Sequence, residues 1–364
     1  MRLIKGILIL LNYLVTILAS AGMFLSYLSS ITEPASTWWL PYFSLAAPFF
    51  VVLAVIMFLV NLVRLNFLAI LPLIPLALSL PKVASQFNYP IRKEYPTSGE
   101  ILKVASHNVY TFHDSDWQPV IDSTINFLSV HQPDIFAIQE YEDFDDKNKT
   151  AIQSALKEYK YSVTDFINEG EGGFGMAIYS KLKIVDSGAY YDEDLVVAQW
   201  ADVVMKKSQD TIRFFNLHLK SNGISDMNEM LFNAQNIRDI ELDQNEKDLA
   251  KEILKKLRDN SQFRAIQAQT VAQMVEESPY SVIVSGDFND VPFSFSVNTI
   301  RGKLQDTFTE NGRGYAYTFN RLMSLLKIDY VFVDDSYHVI KYDTYDVTYS
   351  DHNPIIVTLT YGEK

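Results

Sequence analysis

Cysteine is absent from all 364 residues of this chain. A chain without thiols has no disulfide framework, no cysteine nucleophile and no cysteine-based zinc site. The sequence also lacks the Gly-x-Ser-x-Gly motif of serine hydrolases, and its glycine-rich segment 170–175 lacks the lysine of a phosphate-binding P-loop. These absences leave carboxylates, amides and imidazoles as the groups that could carry chemistry.

Acidic residues are almost missing from the first quarter of the chain. Before residue 94 there are six Lys or Arg residues and a single acid, Glu33, so this part carries a net charge of +5. Because the whole chain carries −13, residues 94–364 carry −18. A hydrophobic, slightly basic segment therefore precedes an acidic domain that is long enough to bury a core of its own.

Three apolar stretches without charged residues lie in this first part, at 7–28, 41–60 and 65–80. The first two are long enough to cross a bilayer as helices, whereas the third is shorter and contains Pro72 and Pro75. The sequence therefore predicts a transmembrane region over residues 1–82. A linker over residues 83–100 and a soluble domain over residues 101–364 follow it.

The distribution of basic residues predicts the orientation of these spans. Arg2 and Lys5 precede the first stretch and Arg64 separates the second from the third, whereas residues 29–40 contain no Lys or Arg. The positive-inside rule then places the amino terminus in the cytoplasm and, after three spans, the acidic domain outside it. The triplet Ala-Ser-Ala at 19–21 also permits a cleaved signal peptide, which would leave the domain on the same side. We expect a multi-pass integral membrane protein with an extracytoplasmic domain, for example in a bacterial cytoplasmic membrane.

Strand and helix patterns are mixed in the remainder of the chain. Helices are predicted at 120–130 and 147–159, and a densely charged segment at 223–261 has helical character from 247 to 258. Because the order is mixed rather than strictly alternating, packed sheets with outer helices are favoured. Apolar or alternating runs predict strands at 101–109, 134–140, 176–179, 196–205, 211–219, 281–284, 328–333 and 355–360.

The stretch Ser-Gly-Asp-Phe-Asn-Asp-Val-Pro at 285–292 has the clearest chemical pattern. It follows a predicted buried strand, and Gly286 permits a sharp turn where that strand ends. Such a turn would bring Asp287 and Asn289 to the rim of a sheet, where ligands usually bind in α/β proteins. Taken alone, the motif is more often a structural Asx turn than a ligand-binding one. The choice between these interpretations therefore depends on the residues at the other strand ends.

Polar residues interrupt the apolar strand patterns near the strand ends. Together they offer oxygen ligands for a hard cation, two imidazoles and amide groups, which suits metal-assisted hydrolysis of a phosphate ester. Mg²⁺ is preferred over zinc because the ligands are oxygens, with Mn²⁺ as a substitute. The residues are Asn108, Glu140, His218, Asp287, Asn289, Asp329, Asp351 and His352.

An ordered set of motifs resembles the endonuclease/exonuclease/phosphatase superfamily, which includes deoxyribonucleases, neutral sphingomyelinases and inositol-polyphosphate 5-phosphatases. The motifs are SHNVYTF, IFAIQEYE, FGMAIYSK, FFNLHLKS, VIVSGDFNDVP, IDYVFV and YSDHNPI, which lie in that order between residues 101 and 360. The resemblance implies an α/β fold, a four-layered sandwich of two packed mixed sheets with helices outside. It also implies a divalent-metal-dependent phosphoesterase.

The resemblance assigns a metal-binding role to three of the residues. Glu140 matches the principal metal ligand of the family, Asn108 lies beside it, and Asp351 is a further carboxylate on the metal side.

The remaining residues match catalytic positions. Asp287 resembles the aspartate that activates water, and Asn289 resembles the amide that holds the scissile phosphate. His352 would contact that phosphate while Asp329 orients its ring. His218 matches a histidine general acid of one branch, and the tyrosine of another branch has no secure counterpart, which argues against an abasic-site endonuclease.

Charge and anchoring guide the choice of substrate. A domain near −18 disfavours general binding of duplex nucleic acid, which depends mostly on phosphate contacts. Anchoring beside a bilayer favours a lipid headgroup or a small phosphoester. An extracytoplasmic nuclease is the main alternative, and a domain that binds phosphorylated headgroups without hydrolysing them is the second. The sequence indicates no oligomeric state.

Overall fold

Helices come first along the chain and strands dominate the rest. The computed structural model describes residues 2–89, 99–113, 120–142, 152, 154, 156–167, 174–193, 195–222, 244–321 and 326–362. The helices are α1 (Arg2–Ser29), α2 (Pro41–Leu45), α3 (Ala47–Val63), α4 (Ile70–Leu78), α5 (Leu80–Gln86), α6 (Ile121–His131), α7 (Gln244–Glu276), α8 (Phe295–Arg301) and α9 (Thr307–Asn311). The strands are β1 (Phe87–Asn88), β2 (Glu100–Asn108), β3 (Ile135–Glu142), β4 (Tyr161–Ile167), β5 (Phe174–Ser180), β6 (Lys183–Asp192), β7 (Leu195–Val204), β8 (Thr211–His218), β9 (Ser281–Asp287), β10 (Gln305–Asp306), β11 (Gly314–Tyr315), β12 (Asp329–Val333), β13 (Tyr337–Thr344) and β14 (Ile355–Tyr361).

Two six-stranded mixed sheets form the C-terminal domain. One has the strand order β13-β14-β2-β3-β5-β4 and the other β10-β12-β9-β8-β7-β6. Each sheet contains one parallel pair, β2 with β3 and β8 with β9, and the other neighbours are antiparallel. The parallel pairs bring the carboxyl ends of four strands to the same region of the domain.

The sheets pack face to face with helices on their outer faces. Val104, Phe214 and Ile283 are fully buried between the sheets, in a core to which both contribute. On one outer face α7 and α8 cover the second sheet, and on the other α6 covers the first. This arrangement confirms the predicted four-layered α/β sandwich, and burial of its apolar side chains supplies the main stabilisation.

The N-terminal apolar stretches are helical, but two of them break at other places than the sequence indicates. Stretch 41–60 is divided between α2 and α3 because Pro48 lacks the N–H that a continuous helix would need there. In the third stretch Pro75 lies inside α4, and the 68° bend comes at Ser79, just before Pro81 in α5.

By length and composition, Leu3–Ser29 of α1 could cross a membrane, and the bent pair Phe67–Leu78 and Leu80–Gln86 would be a second span if counted as one. Among the described residues α3 is apolar but shorter. A signal sequence or a buried core helix can have the same properties as α1. Multi-pass insertion therefore stays a prediction.

The N-terminal helices are joined by polar contacts and close packing. Asn12 donates to Asn61 at 3.0 Å, and Asn61 donates to Thr16 at 3.0 Å. Nearer the carboxyl end of α1, the ring of Phe50 packs against Gly22. A Cβ at position 22 would collide with this ring. Side-chain hydrogen bonds and small residues are common means of helix association in membranes.

The helices also dock onto the C-terminal domain. Phe293, in the loop before α8, is buried in a cluster with Met23, Ala47 and Ala54 from the helices. The first part of the predicted linker, residues 83–88, belongs to α5 and β1 and is ordered, and β1 pairs with β11. The helical region and the sandwich are thus in direct contact.

A buried ion pair reinforces this contact. The ammonium of Lys327 is fully buried and donates to Asp306 at 3.0 Å and to the carbonyl of Ser85 at 3.1 Å. The hydroxyl of Ser85 donates to the same carboxylate. Removal of either charge would leave the other buried without a counter-ion. This would lower the free energy of unfolding by about 3–5 kcal/mol.

Other sequence expectations have mixed outcomes. All eight predicted strands and the helix at 120–130 are confirmed. Each observed end lies within three residues of the predicted end. The helix at 147–159 and the segment 223–261 lie largely or partly outside the described residues, and from residue 244 the chain forms the single helix α7. The sequence predicts neither the longer strands β4, β6 and β13 nor the two-residue strands β1, β10 and β11.

Gly286 does not end its strand, as the sequence suggests, but lies inside β9 with φ +137°. A Cβ here would collide with the carbonyl oxygen of Leu217 on β8. Glycine is therefore required by the close approach of the two parallel strands and by the positive φ.

Candidate functional site

The predicted polar residues come together where the two sheets meet. In the strand register Asn108 pairs with Gln139, and Asp287 pairs with His218 on one side and with Asp329 on the other. Glu140 follows directly after Gln139. The strand ends thus deliver side chains from both sheets to one site.

Asn108 links the two sheets at this site. Its Nδ2 donates to Glu140 Oε1 at 3.0 Å and to Asp287 Oδ2 at 3.1 Å, and the residue is fully buried. Its Oδ1 accepts from the backbone N–H of Tyr110 at 3.0 Å. In this structure Asn108 therefore orients two carboxylates. Its predicted role as a metal ligand would need the amide oxygen, which faces Tyr110.

Glu140 adopts an unusual backbone conformation with φ +52°. It lies at an irregularity of β3, where the register with β5 shifts between Gln139 and Tyr141. Positive φ at a residue other than glycine costs on the order of 1–3 kcal/mol and is frequent at functional sites. Burial raises the pKa of the Glu140 carboxyl, and the hydrogen bond from Asn108 opposes this rise.

Asp287 and Asn289 form a tight local structure. The backbone N–H of Asn289 donates to Asp287 Oδ1 at 2.7 Å, and its side-chain amide donates to the carbonyl of Leu219 at 2.9 Å and to Asp287 Oδ2 at 3.2 Å. Asn289 has φ +51°. The turn follows the Asx pattern and lies at the site cavity, where both N–H groups of the Asn289 amide donate to oxygens of the protein.

His352 and Asp329 form a buried ion pair. The His352 Nδ1–H donates to Asp329 Oδ2 at 2.9 Å, and Nε2 lies 3.7 Å from Asp287 Oδ2. Burial lowers the pKa of His352, but the charges of Asp329 and Asp287 outweigh it and hold the pKa well above its usual range. His352 is thus a cation whose ring is fixed between two carboxylates.

His218 differs from His352 in its charge. Burial lowers its pKa to about 3, so the imidazole is neutral, and the charge of His352 adds to the effect. Its Nε2 has no hydrogen-bond partner among the described residues and lies 3.6 Å from Glu140 Oε1 and 3.9 Å from Asp287 Oδ2. In this state His218 can donate a hydrogen bond, but it holds no extra proton for the general-acid role predicted for it.

Asp351 lines the open part of the site. Its Oδ2 accepts from Arg321 Nε at 3.2 Å, and the guanidinium lies 5.5 Å from the ring centre of Tyr110. A small cavity of about 50 Å³ opens here, and the residues around it are Tyr110, Glu140, Ser221, Asn289, Phe319, Ile328, Asp351 and His352.

The donor set suits a divalent cation. Glu140 and Asp287 approach the same amide and the same orphaned imidazole nitrogen, and burial raises the pKa of both carboxyls. A hard cation bound by oxygen ligands would compensate this buried negative charge. The group Asp287, Asp329 and His352 also lies close enough to surround an ion, but the last two are already paired with each other. The position near Glu140 therefore fits better.

The sequence analysis did not assign Tyr110 or Arg321 to the site. Arg321 bonds to a predicted site residue, Asp351. Tyr110 follows Asn108 by two positions and starts a run of three residues with positive φ, from Tyr110 to Phe112. Its place in the SHNVYTF motif was the available signal.

Two packed mixed sheets with buried carboxylates and imidazoles at their shared strand ends define a metal-dependent phosphoesterase. Residues 105–352 match the Endonuclease/Exonuclease/phosphatase family. The chain belongs to this family, whose enzymes depend on a divalent metal, and it is a hydrolase of phosphoric esters. Residues 6–86 match a domain of unknown function (DUF8431). A comparison with curated proteins gives no match.

Several solved structures share this fold. An endonuclease/exonuclease/phosphatase family protein from Bacteroides thetaiotaomicron has 21% identity and a TM-score of 0.52, over 73% of this chain and 100% of that chain. A relative from Bacteroides vulgatus has 19% identity and a TM-score of 0.52, over 72% and 99%. One from Beutenbergia cavernae has 16% identity and a TM-score of 0.51, over 72% of each chain. At these identities the likeness shows the fold.

We predict that Asp329 and His352 act as one unit. Asp329→Ala and His352→Ala should each slow turnover by on the order of 10²–10⁴-fold, because the first removes the carboxylate that orients and charges the imidazole and the second removes the imidazole itself. The double variant should be little slower than His352→Ala, and steady-state rates of the four proteins measure this coupling.

Asp334→Ala is the matched control for a loss of folding stability. Asp334 lies just after the other end of β12 and accepts from the backbone N–H groups of Val282 and Ser336. This variant should lower the melting temperature but leave the turnover of the folded fraction intact. Multiplicative losses for Asp329→Ala and His352→Ala would show that the two residues act independently.

Proposed function

We propose that this protein is a membrane-anchored, divalent-metal-dependent phosphoesterase that hydrolyses a phosphoester in a lipid headgroup. The observation that carries the proposal is the position of the site beside the N-terminal helices. Phe319 and Ile328 line the site cavity and belong to an apolar cluster with Val291 and Leu326, against which Leu45 of α2 packs. The mouth of the site is thus next to the proposed membrane anchor.

The site residues divide the chemistry among them. When bound, Mg²⁺ or Mn²⁺ would neutralise a non-bridging phosphate oxygen, with Glu140 as its main ligand and Asp351 nearby. Asp287 orients and deprotonates the attacking water, and the cationic His352 donates toward the phosphate. Asn289 would hold the scissile phosphate through its amide group, once the amide exchanges its 3.2 Å hydrogen bond to Asp287 for one to a phosphate oxygen. The neutral His218 hydrogen-bonds to an oxygen of the reacting group.

Membrane insertion is supported by the outer surface of the helices. Large apolar side chains of α1, α3 and α4 are exposed along their length, for example Leu18 at 62%, Phe49 at 64% and Ile70 at 57%. An exposed apolar surface of this extent indicates contact with lipid. We propose that α1, α3 and the α4–α5 pair all insert.

The packing also supports the proposed orientation. The carboxyl end of α1 and the loop 29–40 lie against the catalytic domain, since Met23 of α1 packs with Phe293 and Glu33 accepts from Gln269 of α7 at 3.4 Å. The basic residues Arg2, Lys5 and Arg64 lie toward the opposite end. The positive-inside rule then places the catalytic domain outside the cytoplasm.

Two alternatives rest on the same family membership. An extracytoplasmic nuclease would need a basic surface for its substrate, whereas the domain carries a large negative charge and Arg321 at the site is paired with Asp351. A domain that binds headgroups without hydrolysis would not need the arranged pair of Asp329 and His352. Both are therefore less favoured, and the experiments below discriminate them.

The absence of cysteine allows a direct test of the orientation. Single variants Ser36→Cys, Ser208→Cys and Leu65→Cys place one thiol in the first loop, the catalytic domain and the turn after α3, all at exposed positions. In cells with a permeabilised outer envelope, a membrane-impermeant maleimide should label the first two and spare Leu65→Cys. Labelling of Leu65→Cys alone would reverse the proposed orientation.

We predict that the full chain, reconstituted in vesicles with Mg²⁺, releases headgroups from a membrane phospholipid. The vesicles should contain phosphatidylglycerol, sphingomyelin or a phosphoinositide, and a chromogenic phosphodiester, DNA and RNA in solution are the competing substrates. Chelation of the metal should abolish release because it removes the cation. Glu140→Gln should abolish release because the cation loses its main charged ligand. Faster cleavage of DNA or RNA than of every lipid would establish the nuclease instead, and headgroup binding without any turnover would establish the binding domain.

A further inference from the structure

Helix α7 presents two buried polar side chains to the site loops. Arg264 is 2% exposed and Gln267 is 1% exposed, one helical turn apart on the face that packs on the sandwich. An arginine is rarely buried to this degree unless it is paired and hydrogen-bonded. The contacts of Arg264 therefore indicate a defined task.

The guanidinium of Arg264 joins two loops that leave neighbouring strands. Its Nε donates to Asp290 Oδ2 at 3.0 Å, in the loop after β9. Its Nη1 donates to the carbonyl of Lys220 at 3.0 Å and to Asn222 Oδ1 at 2.8 Å, in the loop after β8. Because the guanidinium is planar and rigid, it fixes the distance between these two loops.

Asn289 belongs to the loop after β9 and contacts the loop after β8. Asn222, which accepts from Arg264, donates to the backbone carbonyl of Asn289 at 3.2 Å. On its other side, the Asn289 amide donates to the carbonyl of Leu219 in the loop after β8. The left-handed backbone of Asn289, with φ +51°, is thus held at two points by the loop after β8.

Gln267 supports the same loop from the next turn of α7. Its Oε1 accepts from the backbone N–H of Lys220 at 2.9 Å, and its Nε2 donates to Asp192 at 2.8 Å. The loop after β8, residues 219–222, is therefore fixed by Arg264 and Gln267 together. This loop follows directly after His218.

We propose that Arg264 is a positioning residue, which through Asp290 and Asn222 holds Asn289 in the orientation that binds the scissile phosphate. The inference rests on the proposed function of Asn289. Arg264 contacts neither the candidate metal ligands nor the cavity, so its effect on turnover is transmitted by the loops. A displacement of about 1 Å in a group that positions substrate can cost about 10²-fold in rate.

Arg264→Lys and Arg264→Met test this role in the full chain in detergent micelles, with a soluble chromogenic phosphodiester as substrate. Both variants should lower kcat/KM by about ten- to a hundredfold, since an ammonium cannot reproduce the planar fork and Met removes the charge. The affinity for Mn²⁺, measured by electron paramagnetic resonance without substrate, should be unchanged. A loss of Mn²⁺ affinity equal to the loss of kcat/KM would place the effect at the metal and overturn the proposal.

Arg213→Lys and Arg213→Met are the matched controls. Arg213 forms a similar two-point ion pair with Asp202, at 2.7 and 2.8 Å, near the end of β8 that lies away from His218. These variants should lower the melting temperature without changing kcat/KM. If they reduce kcat/KM as much as the Arg264 variants, the Arg264 effect is one of general stability and the proposal is wrong.

A double-mutant cycle with Asn289→Ala separates the two claims. If Arg264 acts through Asn289, Arg264→Met should cost little further rate in the Asn289→Ala background, less than about twofold. A full multiplicative loss would contradict the positioning role while leaving the proposed function intact. Wild-type turnover by Asn289→Ala would contradict the proposed phosphate contact itself, and with it the basis of the inference.

Discussion

Burial of several carboxylates at one junction is the constraint on which the rest of this structure depends. Asp287, Asp329 and Glu140 come from three strands and two sheets, and each meets a hydrogen-bond donor or an imidazole. Unpaired, such charges would be costly in a medium of low polarity. The cationic His352 offsets part of this charge, and a divalent cation would offset the remainder. The same arrangement that makes the site costly to build makes it suited to phosphate chemistry.

The backbone provides this junction by an unusual local geometry. Two parallel pairs inside otherwise antiparallel sheets align the ends of β2, β3, β8 and β9. Gly286 allows β8 and β9 to approach closely, while Glu140 and Asn289 adopt positive φ. Strain at these positions is tolerated because Asn108 donates a hydrogen bond to Glu140 and Asn289 donates one to the carbonyl of Leu219. The N-terminal helices add to this support, since Phe293 and Lys327 tie them to the chain segments that carry Asn289 and Asp329.

The sequence predicted the sandwich, its buried strands and the members of the site because each produces a local pattern. Apolar runs marked the central strands, and single polar residues at their ends marked the site. The edge strand β6 was missed because its side chains are mostly exposed or half-buried, so it lacks a continuous apolar run. Arg264 was missed because a charge on a helix usually faces solvent, and its burial depends on loops far away in sequence. The docking of the helices depends on contacts that no local pattern encodes.

The position of a bound Mn²⁺ ion tests the central claim most directly. Crystals of the full protein soaked in MnCl₂, with anomalous diffraction collected near the manganese absorption edge, would locate the ion without reliance on activity. The account predicts a peak within about 2.5 Å of a Glu140 carboxylate oxygen, on the side that faces Asp287. A peak bound by Asp329 and His352, with Glu140 out of contact, would contradict it, since the pair that is proposed to act on phosphate would then be the metal site.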